Sequence, residues 1–434
     1  MDSTKVEAYF KEEANHYVRL VAVCILLGLL AGLATYLLDL MLHSIGDSII
    51  GFLNPKSSNP LLIVIPVVGV TAVMAYIHYS VKIPLAHGTE RINLYLKEKN
   101  YVLPARLMWD SVLTTSVTLG FGGSAGAEGP SAFTGAAIGS NLGRLLRLGQ
   151  KDMRLLIGIG AGAGIAGIFR SPLGGVLFTL EILRMPLGTL PVLALISSCL
   201  CAGLTSYLLN GQHYDVALLD AVLPSLHDVP YIVLLGIFCG LYSLYYAFIL
   251  KGTGRKFDSM SNRWLRAVLS GLMIGVAIYI FPSLYATGYD SLGQILNGND
   301  KVILGYSAFA GARPTIGLIT VIAMGIVMTK PFACAATNYG GGVAGNFAPT
   351  LFTGGFLGYV FASLCNTYLG MELHAPNFIY LGMAGAMAGI IRAPLMAMFL
   401  TCEMSGHSDF LWPLALVSLA SWTTARLLAP KLSV

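Results

Sequence analysis

Long apolar runs separated by short polar stretches dominate the chain. The clearest runs cover residues 19–43, 60–77, 229–250, 315–329 and 410–424. A helix needs about 20 predominantly apolar residues to cross the hydrocarbon core of a bilayer, and the longest of these runs exceed that length. The two-residue alternation typical of a membrane β-barrel is absent. The pattern therefore predicts an all-α, polytopic membrane protein.

A second set of apolar pieces is shorter and rich in glycine. These pieces cover residues 102–120, 131–148, 153–168, 172–183, 350–367, 376–391 and 393–402. Most of them are too short to cross a bilayer as straight helices. They predict broken or re-entrant helices, which neighbouring protein must cover because lipid cannot satisfy irregular backbone.

Composition and charge agree with a membrane protein and exclude several other classes. The chain is 56% hydrophobic and 11% charged, whereas soluble domains carry about 25% charged residues. We assign the net charge of +5 to basic loops near membrane lipid, and no stretch resembles a nucleic-acid-binding module. The spacing of the seven cysteines suits neither a metal site nor a disulfide framework. We therefore expect no metal, no cofactor and no nucleic-acid partner.

The two ends of the chain carry simpler expectations. Residues 1–16 are polar and of mixed charge, which indicates a cytoplasmic lead-in and not a cleaved signal peptide. The last apolar run ends close to the final residue, so we expect no soluble C-terminal domain.

An internal repeat organises the chain. Residues 122–139 and 341–358 are identical at nine of eighteen positions, and residues 160–182 and 382–404 at nine of twenty-three. The two offsets, 219 and 222 residues, nearly agree. This repeat predicts two related halves, residues 17–215 and 229–430. Repeat halves in membrane proteins usually build one site at their interface.

The first repeated segment predicts an anion site. In each copy a glycine-rich loop precedes a proline, Pro130 or Pro349, and an apolar helical pattern follows. Proline suits the first turn of a helix, so each loop leads into a helix N-terminus whose free N–H groups favour an anion. The first copy carries Glu128 where the second has Phe347. We interpret the Glu128 carboxylate as a tethered anion that competes for these N–H groups; the alternative is a satisfied structural carboxylate.

The second repeated segment carries matched charged residues. Arg170 and Glu181 in the first copy correspond to Arg392 and Glu403 in the second. For the two glutamates we expect a paired structural role. The two arginines either partner these glutamates or cap helices, and the spacing alone leaves both possibilities open.

Two motifs give the chain a specific resemblance. GAEGP at 126–130 and GNFAP at 345–349, with the helices and Arg-x-Pro segments that follow them, are similar to motifs of the CLC family of chloride channels and chloride/proton exchangers. The likeness covers about residues 17–430. It implies a CLC-like fold of two inverted repeat halves, a homodimer with one pore in each subunit, and a multi-pass protein of the cell inner (plasma) membrane.

The resemblance also implies roles for particular residues. Glu128 corresponds to the external gating glutamate. The transported chloride would lie against the loops and backbone N–H groups of Gly126, Gly129, Gly345, Asn346, Phe347 and Ala348.

Three positions depart from the family pattern. His87 and Gly88 fall where the family has an anion-binding serine and the following glycine. His87 either donates to the anion or points into a loop, and both remain open. Ile182 stands where exchangers carry an inner glutamate, which favours passive, channel-like conduction; proton-coupled exchange is the alternative. Ala127 replaces a basic residue, so we expect weaker attraction of anions at the outer mouth.

Two rival interpretations are weaker. Residues 122–126, GGSAG, fit the G-x-S-x-G pattern of serine hydrolases around Ser124. No strand pattern precedes this serine, and the repeat has Val343 in its place, so an intramembrane serine protease is a distant alternative and we expect no enzyme. A fluoride-selective relative would alter both motif segments, and both are ordinary here, so chloride is the expected ion.

Overall fold

The computed structural model describes residues 3–53, 59–83, 85, 88–99, 101–185, 188–211, 222–305 and 307–430. Within these ranges the chain is helical and forms no β-strand beyond one isolated bridge. The α-helices of the described part are α1 (Ser3–Leu53), α2 (Leu61–Tyr76), α3 (Gly88–Lys97), α4 (Leu107–Gly120), α5 (Glu128–Leu145), α6 (Gln150–Phe169), α7 (Pro172–Leu177), α8 (Thr189–Asn210), α9 (Val229–Asp258), α10 (Arg263–Ile280), α11 (Tyr289–Leu296), α12 (Val302–Gly305), α13 (Ile316–Gly340), α14 (Phe347–Leu369), α15 (Ala375–Ile391), α16 (Pro394–Ser405) and α17 (Leu411–Leu428).

Eight helical stretches of the described chain are long and apolar enough to cross a membrane. They are His16–Phe52, Leu61–Val81, Gln150–Phe169, Pro191–Asn210, Leu226–Asp258, Arg263–Ile280, Ile316–Gly340 and Phe347–Leu369. Two shorter apolar helical stretches, Pro172–Ile182 and Ala375–Ile391, accompany them. The prediction of an all-α polytopic membrane protein is confirmed.

Two spanning helices were missed by the apolar pattern. Helix α8 interrupts its leucines with pairs of hydroxyl side chains, and α10 begins with Arg263 and carries Arg266 one turn later. Both features shorten the uninterrupted apolar run. A helix tolerates them because hydroxyl groups such as those of Ser197 and Thr205 bond their own backbone, and terminal arginines extend to the membrane interface.

The chain forms two compact units, each built from several segments. The first comprises Met1–Leu37, Thr89–Val112 and Ser131–Gln212. Its core brings together α1, α5, α6 and α8 through buried side chains such as Leu27 and Leu195. Helices α5 and α6 touch at glycines: a Cβ on Gly135 would lie 2.8 Å from the carbonyl carbon of Gly160. Small residues allow this close helix packing within membranes.

The second unit comprises Leu38–Gly88, Leu113–Pro130 and His213–Val434. In it α14 and α15 repeat the glycine contact of α5 and α6. A Cβ on Gly354 would lie 2.8 Å from the carbonyl carbon of Gly382. The sequence repeat thus reproduces the same packing device in each copy; the division into halves at 17–215 and 229–430 stays a prediction.

Both Arg-x-Pro segments form the same helix break. Arg170 ends α6 with φ 53°, and Arg392 ends α15 with φ 67°, in the left-handed conformation of a C-cap. Each following proline, Pro172 or Pro394, lies in the first turn of the next helix. The arginines therefore occupy helix caps, one of the two possibilities that the spacing left open. The paired role of Glu181 and Glu403 stays a prediction.

Candidate functional site

The two motif loops pair directly with each other inside the second unit. The N–H of Gly126 donates to the carbonyl of Gly345 at 2.9 Å, and the N–H of Gly345 donates back to Gly126 at 2.6 Å. The two residues form an isolated antiparallel bridge. They are also matched positions of the repeat, 219 residues apart. A local two-fold axis therefore relates the two repeated loops where they meet.

A reciprocal pair of threonine contacts supports the same relation. The N–H of Ser124 donates to Oγ1 of Thr337 at 3.0 Å. The N–H of Val343 donates to Oγ1 of Thr118 at 3.1 Å. Each partner in one bond lies 219 residues from its counterpart in the other. Each loop is thus held by a threonine on the helix that precedes the other loop.

Both loops end in a helix at matched residues. Helix α5 begins at Glu128 and α14 begins at Phe347. Pro130 and Pro349 lie in the first turns, where a missing N–H leaves no bond unmade. The predicted local structure, a glycine-rich loop leading into a helix N-terminus, is confirmed in both copies.

The Glu128 side chain folds back over the paired loops. The residue is only 2% exposed. A Cβ on Gly126 would overlap Oε2 of this carboxylate, and a Cβ on Gly345 would lie 3.5 Å from the same oxygen. The backbone N–H groups of Glu128 itself and of Ala348 attract the carboxylate, and the Lys330 ammonium adds a further attraction. A buried negative group therefore lies where N–H groups from both helix starts converge.

This carboxylate is incompletely bonded. Its Oε2 atom is buried and has no hydrogen-bond partner among the residues that the structure describes. An oxygen without a donor in a buried setting carries a desolvation cost of about 1–3 kcal/mol. A competing anion can therefore displace the Glu128 carboxylate from this position.

The remaining motif residues surround the Glu128 carboxylate or support the loops. Ala348 and Phe347 are buried at the start of α14. The Cβ of Ala348 would lie 2.9 Å from a Cβ on Gly126, and a Cβ on Gly129 would lie 3.4 Å from the Cα of Gly345. The 2.9 Å distance explains the glycine at position 126, whereas the 3.4 Å distance at Gly129 is an ordinary van der Waals contact.

The Asn346 side chain faces α13. Its Oδ1 accepts from Nδ2 of Asn338 at 2.6 Å and from the thiol of Cys334 at 3.2 Å. The side chain is thus committed to supporting the second loop. For Asn346 only the backbone N–H keeps the predicted role of an anion ligand.

Three further positions were predicted to belong to the site. His87 lies outside the described residues. Gly88 is buried at the start of α3. Ile182 is half-buried at the end of the π-helical turn Phe178–Ile182. Within the described chain no group of three His, Cys, Asp or Glu side chains suits a metal ion.

One functional candidate was not singled out from the sequence. Lys330 of α13 is fully buried, and its Nζ donates to Oγ of Ser124 at 2.9 Å and to the carbonyls of Ala286 and Thr287 at 3.1 and 3.3 Å. Lys330 follows the apolar run 315–329, and an ionisable residue inside a membrane helix is itself a signal of function.

The same contacts weaken the protease alternative. Ser124 is fully buried, and its hydroxyl donates to the carbonyl of Leu284 at 2.5 Å. The three bonds of Lys330 use all the donors of an ammonium group and leave no lone pair to act as a base. Ser124 therefore connects structural elements and does not face a substrate.

Comparisons with known proteins agree with this geometry. The family model described as voltage gated chloride channel matches residues 68–426. A protein of Vibrio cholerae named H(+)/Cl(-) exchange transporter ClcA is 26% identical and aligns with 93% of this chain and 86% of its own. A protein of Ralstonia nicotianae named as a ClcB-like chloride channel protein is 28% identical over 75% of this chain and 73% of its own.

Solved structures show the same fold. A slow cyanobacterial Cl-/H+ antiporter superposes with a TM-score of 0.79 at 23% identity, over 95% of each chain. A CLC-type fluoride/proton antiporter superposes with a TM-score of 0.74 at 22% identity, over 94% of this chain and 95% of the other. With the family match spanning most of its length, the chain belongs to the CLC family of voltage-gated chloride channels and related anion transporters, as an integral multi-pass membrane protein.

Proposed function

We propose that this protein exchanges chloride for protons across the cell inner (plasma) membrane, with Glu128 as the group that both ions use. The observation that carries the proposal is the buried Glu128 carboxylate above the paired glycines Gly126 and Gly345. The anion ligands would be N–H groups at the two loops and helix starts. No cofactor is required beyond the transported chloride itself.

A shared position of carboxylate and anion provides a physical reason for exchange. The N–H groups around Glu128 attract one negative charge, either the carboxylate or chloride. When the carboxylate binds a proton it loses its charge, and its attraction to these N–H groups weakens. Chloride then enters and passes to the other side. Once the proton leaves towards the side from which chloride came, the charged carboxylate returns. Proton and chloride movements are thereby coupled through one place in the protein.

The relatives support exchange over passive conduction. The Vibrio cholerae protein is named an H(+)/Cl(-) exchange transporter, and this is the alternative that the sequence placed second. Passive conduction remains the second candidate because Ile182, an apolar residue, stands at the position where the resemblance expects an inner acid. A proton path in this chain must therefore avoid the side chain of residue 182.

The test is a simultaneous recording of chloride and protons. The purified protein is reconstituted into liposomes with a chloride gradient and no pH gradient, and internal chloride and external pH are followed together. Exchange predicts that the chloride gradient drives net proton movement and so builds a pH gradient, which an uncoupler dissipates. Chloride flux without any proton movement would assign passive conduction instead.

Assembly belongs to the same proposal. The family resemblance implies a homodimer in which each subunit carries its own pore. Light scattering of the detergent-solubilised protein measures the mass of the particle directly, and a particle of one subunit would contradict the dimer.

A further inference from the structure

The described chain contains few buried charged side chains. They are Asp110, Glu128 and Lys330. Asp110 forms an ion pair with Arg106 at 2.6 Å. Glu128 and Lys330 both belong to the second unit and attract each other electrostatically. Burying an isolated charge is costly unless it is compensated, and this attraction offsets part of that cost for both groups.

The bonds of Lys330 extend to the loop that carries Glu128. Its Nζ donates to the Ser124 hydroxyl, four residues before Glu128 in the first motif loop. The same Nζ donates to two carbonyls of the turn before α11, those of Ala286 and Thr287. The Phe352 ring of α14 lies 4.7 Å from this atom. The ammonium thus links the first loop to the helix that follows the second.

The motif loop itself provides no positive charge. Residues 122–130 contain no lysine, arginine or histidine. The N–H groups at the helix starts bear only partial charges, each helix end being worth about half an elementary charge. Among the described residues that surround the Glu128 carboxylate, Lys330 is the full positive charge.

We propose that Lys330 is a positioning residue of the transport site: its ammonium anchors the first motif loop through Ser124 and stabilises the negative charge at the Glu128 position. This inference rests on the proposed anion transport. The stabilised charge is the carboxylate in one state and chloride in the other. Its three bonds to protein atoms use the three N–H donors of the ammonium, so Lys330 donates no hydrogen bond to the ion itself.

Few other titratable groups face this pair. Cys334 lies one turn beyond Lys330 on α13 and interacts with both charges. Tyr242 and Tyr246 of α9 interact in turn with Cys334. Among the described residues Glu128 is the acid at this site, so the pH response of transport is expected to depend on Glu128, with Lys330 shifting the pH at which its carboxylate gains a proton.

The experiment compares Lys330→Gln with Lys330→Arg in liposomes. Chloride flux is measured from pH 4.5 to 8.5, and chloride affinity by calorimetry. Without the ammonium, the negative charge at the Glu128 position loses its buried partner. We expect the acid-activated flux of Lys330→Gln to begin at a pH about one unit higher, with chloride affinity reduced about tenfold. Lys330→Arg keeps the charge and is expected to recover most of both changes.

A stability cycle keeps the test decisive if Lys330→Gln folds poorly. Lys330→Gln alone leaves the Glu128 carboxylate with only the partial charges of the backbone N–H groups, whereas Lys330→Gln with Glu128→Gln removes both charges. The double variant is therefore expected to melt at a higher temperature than the single variant in detergent. No rescue by the second substitution would overturn the proposed charge partnership.

Two further results would also overturn the inference. One is a Lys330→Gln protein with wild-type pH response and chloride affinity. The other is a Lys330→Gln protein that loses proton coupling alone, since that outcome would make Lys330 a proton carrier. A wild-type protein without chloride flux would instead contradict the proposed function, and the stability cycle would still test the partnership.

Discussion

A methyl group at Gly126 is expected to displace the Glu128 carboxylate and to press on the start of α14. The Gly126→Ala Cβ would lie 2.9 Å from Cδ of Glu128 and would overlap its Oε2. Gly126 does not have a positive φ, so alanine fits the local backbone. The Glu128 side chain is flexible and moves more easily than the paired loops. The same Cβ would lie 2.9 Å from the Cβ of Ala348, which retreats only with the start of α14. The substitution therefore acts both on the Glu128 carboxylate and on this helix start.

The size of the effect follows from the distances. Carbon atoms in contact lie about 3.5–4.0 Å apart, so Cδ must retreat by roughly 0.6–1.1 Å. A hydrogen bond stretched by that amount is largely lost. One hydrogen bond to a charged group is worth about 1.5–3 kcal/mol, and each 1.4 kcal/mol is about tenfold in affinity. The carboxylate should compete about 10- to 100-fold less well with chloride.

The assay is chloride efflux from liposomes at pH 7.5 and pH 5. At pH 7.5 we expect Gly126→Ala to conduct chloride faster than wild type and to approach its own rate at pH 5. Chloride affinity at pH 7.5, measured by calorimetry, is expected to rise about tenfold or more. Wild-type rates and wild-type pH dependence in a folded Gly126→Ala protein would refute the reasoning.

Two controls separate displacement of the carboxylate from damage to the loops. In a Glu128→Ala background no carboxylate remains to be displaced, so any change of flux on adding Gly126→Ala measures the displacement of the α14 start through Ala348. Gly345→Ala places its Cβ 2.8 Å from the backbone nitrogen of Gly129. Backbone atoms cannot retreat as a side chain can, so this variant is expected to lose flux instead of gaining it.

The remaining predictions concern Glu128, the helix packing at Gly354 and the side chain of His87. Glu128→Gln should keep or raise chloride flux and lose its pH dependence, because the amide does not titrate; a folded variant without flux would contradict the tethered-anion role. Gly354→Ala should lower the melting temperature of the solubilised protein, since overpacking costs about 1–3 kcal/mol, whereas Gly51→Ala, which meets no atom within 4 Å, should not. His87→Ser should change the preference among chloride, nitrate and bromide if the histidine faces the ion, and unchanged preference would place its ring elsewhere.

Local sequence signals predicted the start of both motif helices. Glycine-rich loops and first-turn prolines act over a few residues, so the residues that begin α5 and α14, Glu128 and Phe347, follow from the repeat. The same is true of the Arg-x-Pro breaks, although the capping role of Arg170 and Arg392 needed the backbone angles. The apolar pattern failed at α8 and α10, where polar side chains divide runs that long-range packing still joins into one helix.

The sequence by itself determined the class of fold, the family and the doubled motif, because each of these is encoded in patterns or in residues close along the chain. The tertiary structure alone decided which residues meet. It pairs Gly126 with Gly345 and turns the Asn346 side chain towards α13. It also brings Lys330 to Ser124, 206 residues away. Contacts across such separations depend on how whole helices pack. No local sequence pattern therefore predicts which distant residues the buried Lys330 ammonium contacts.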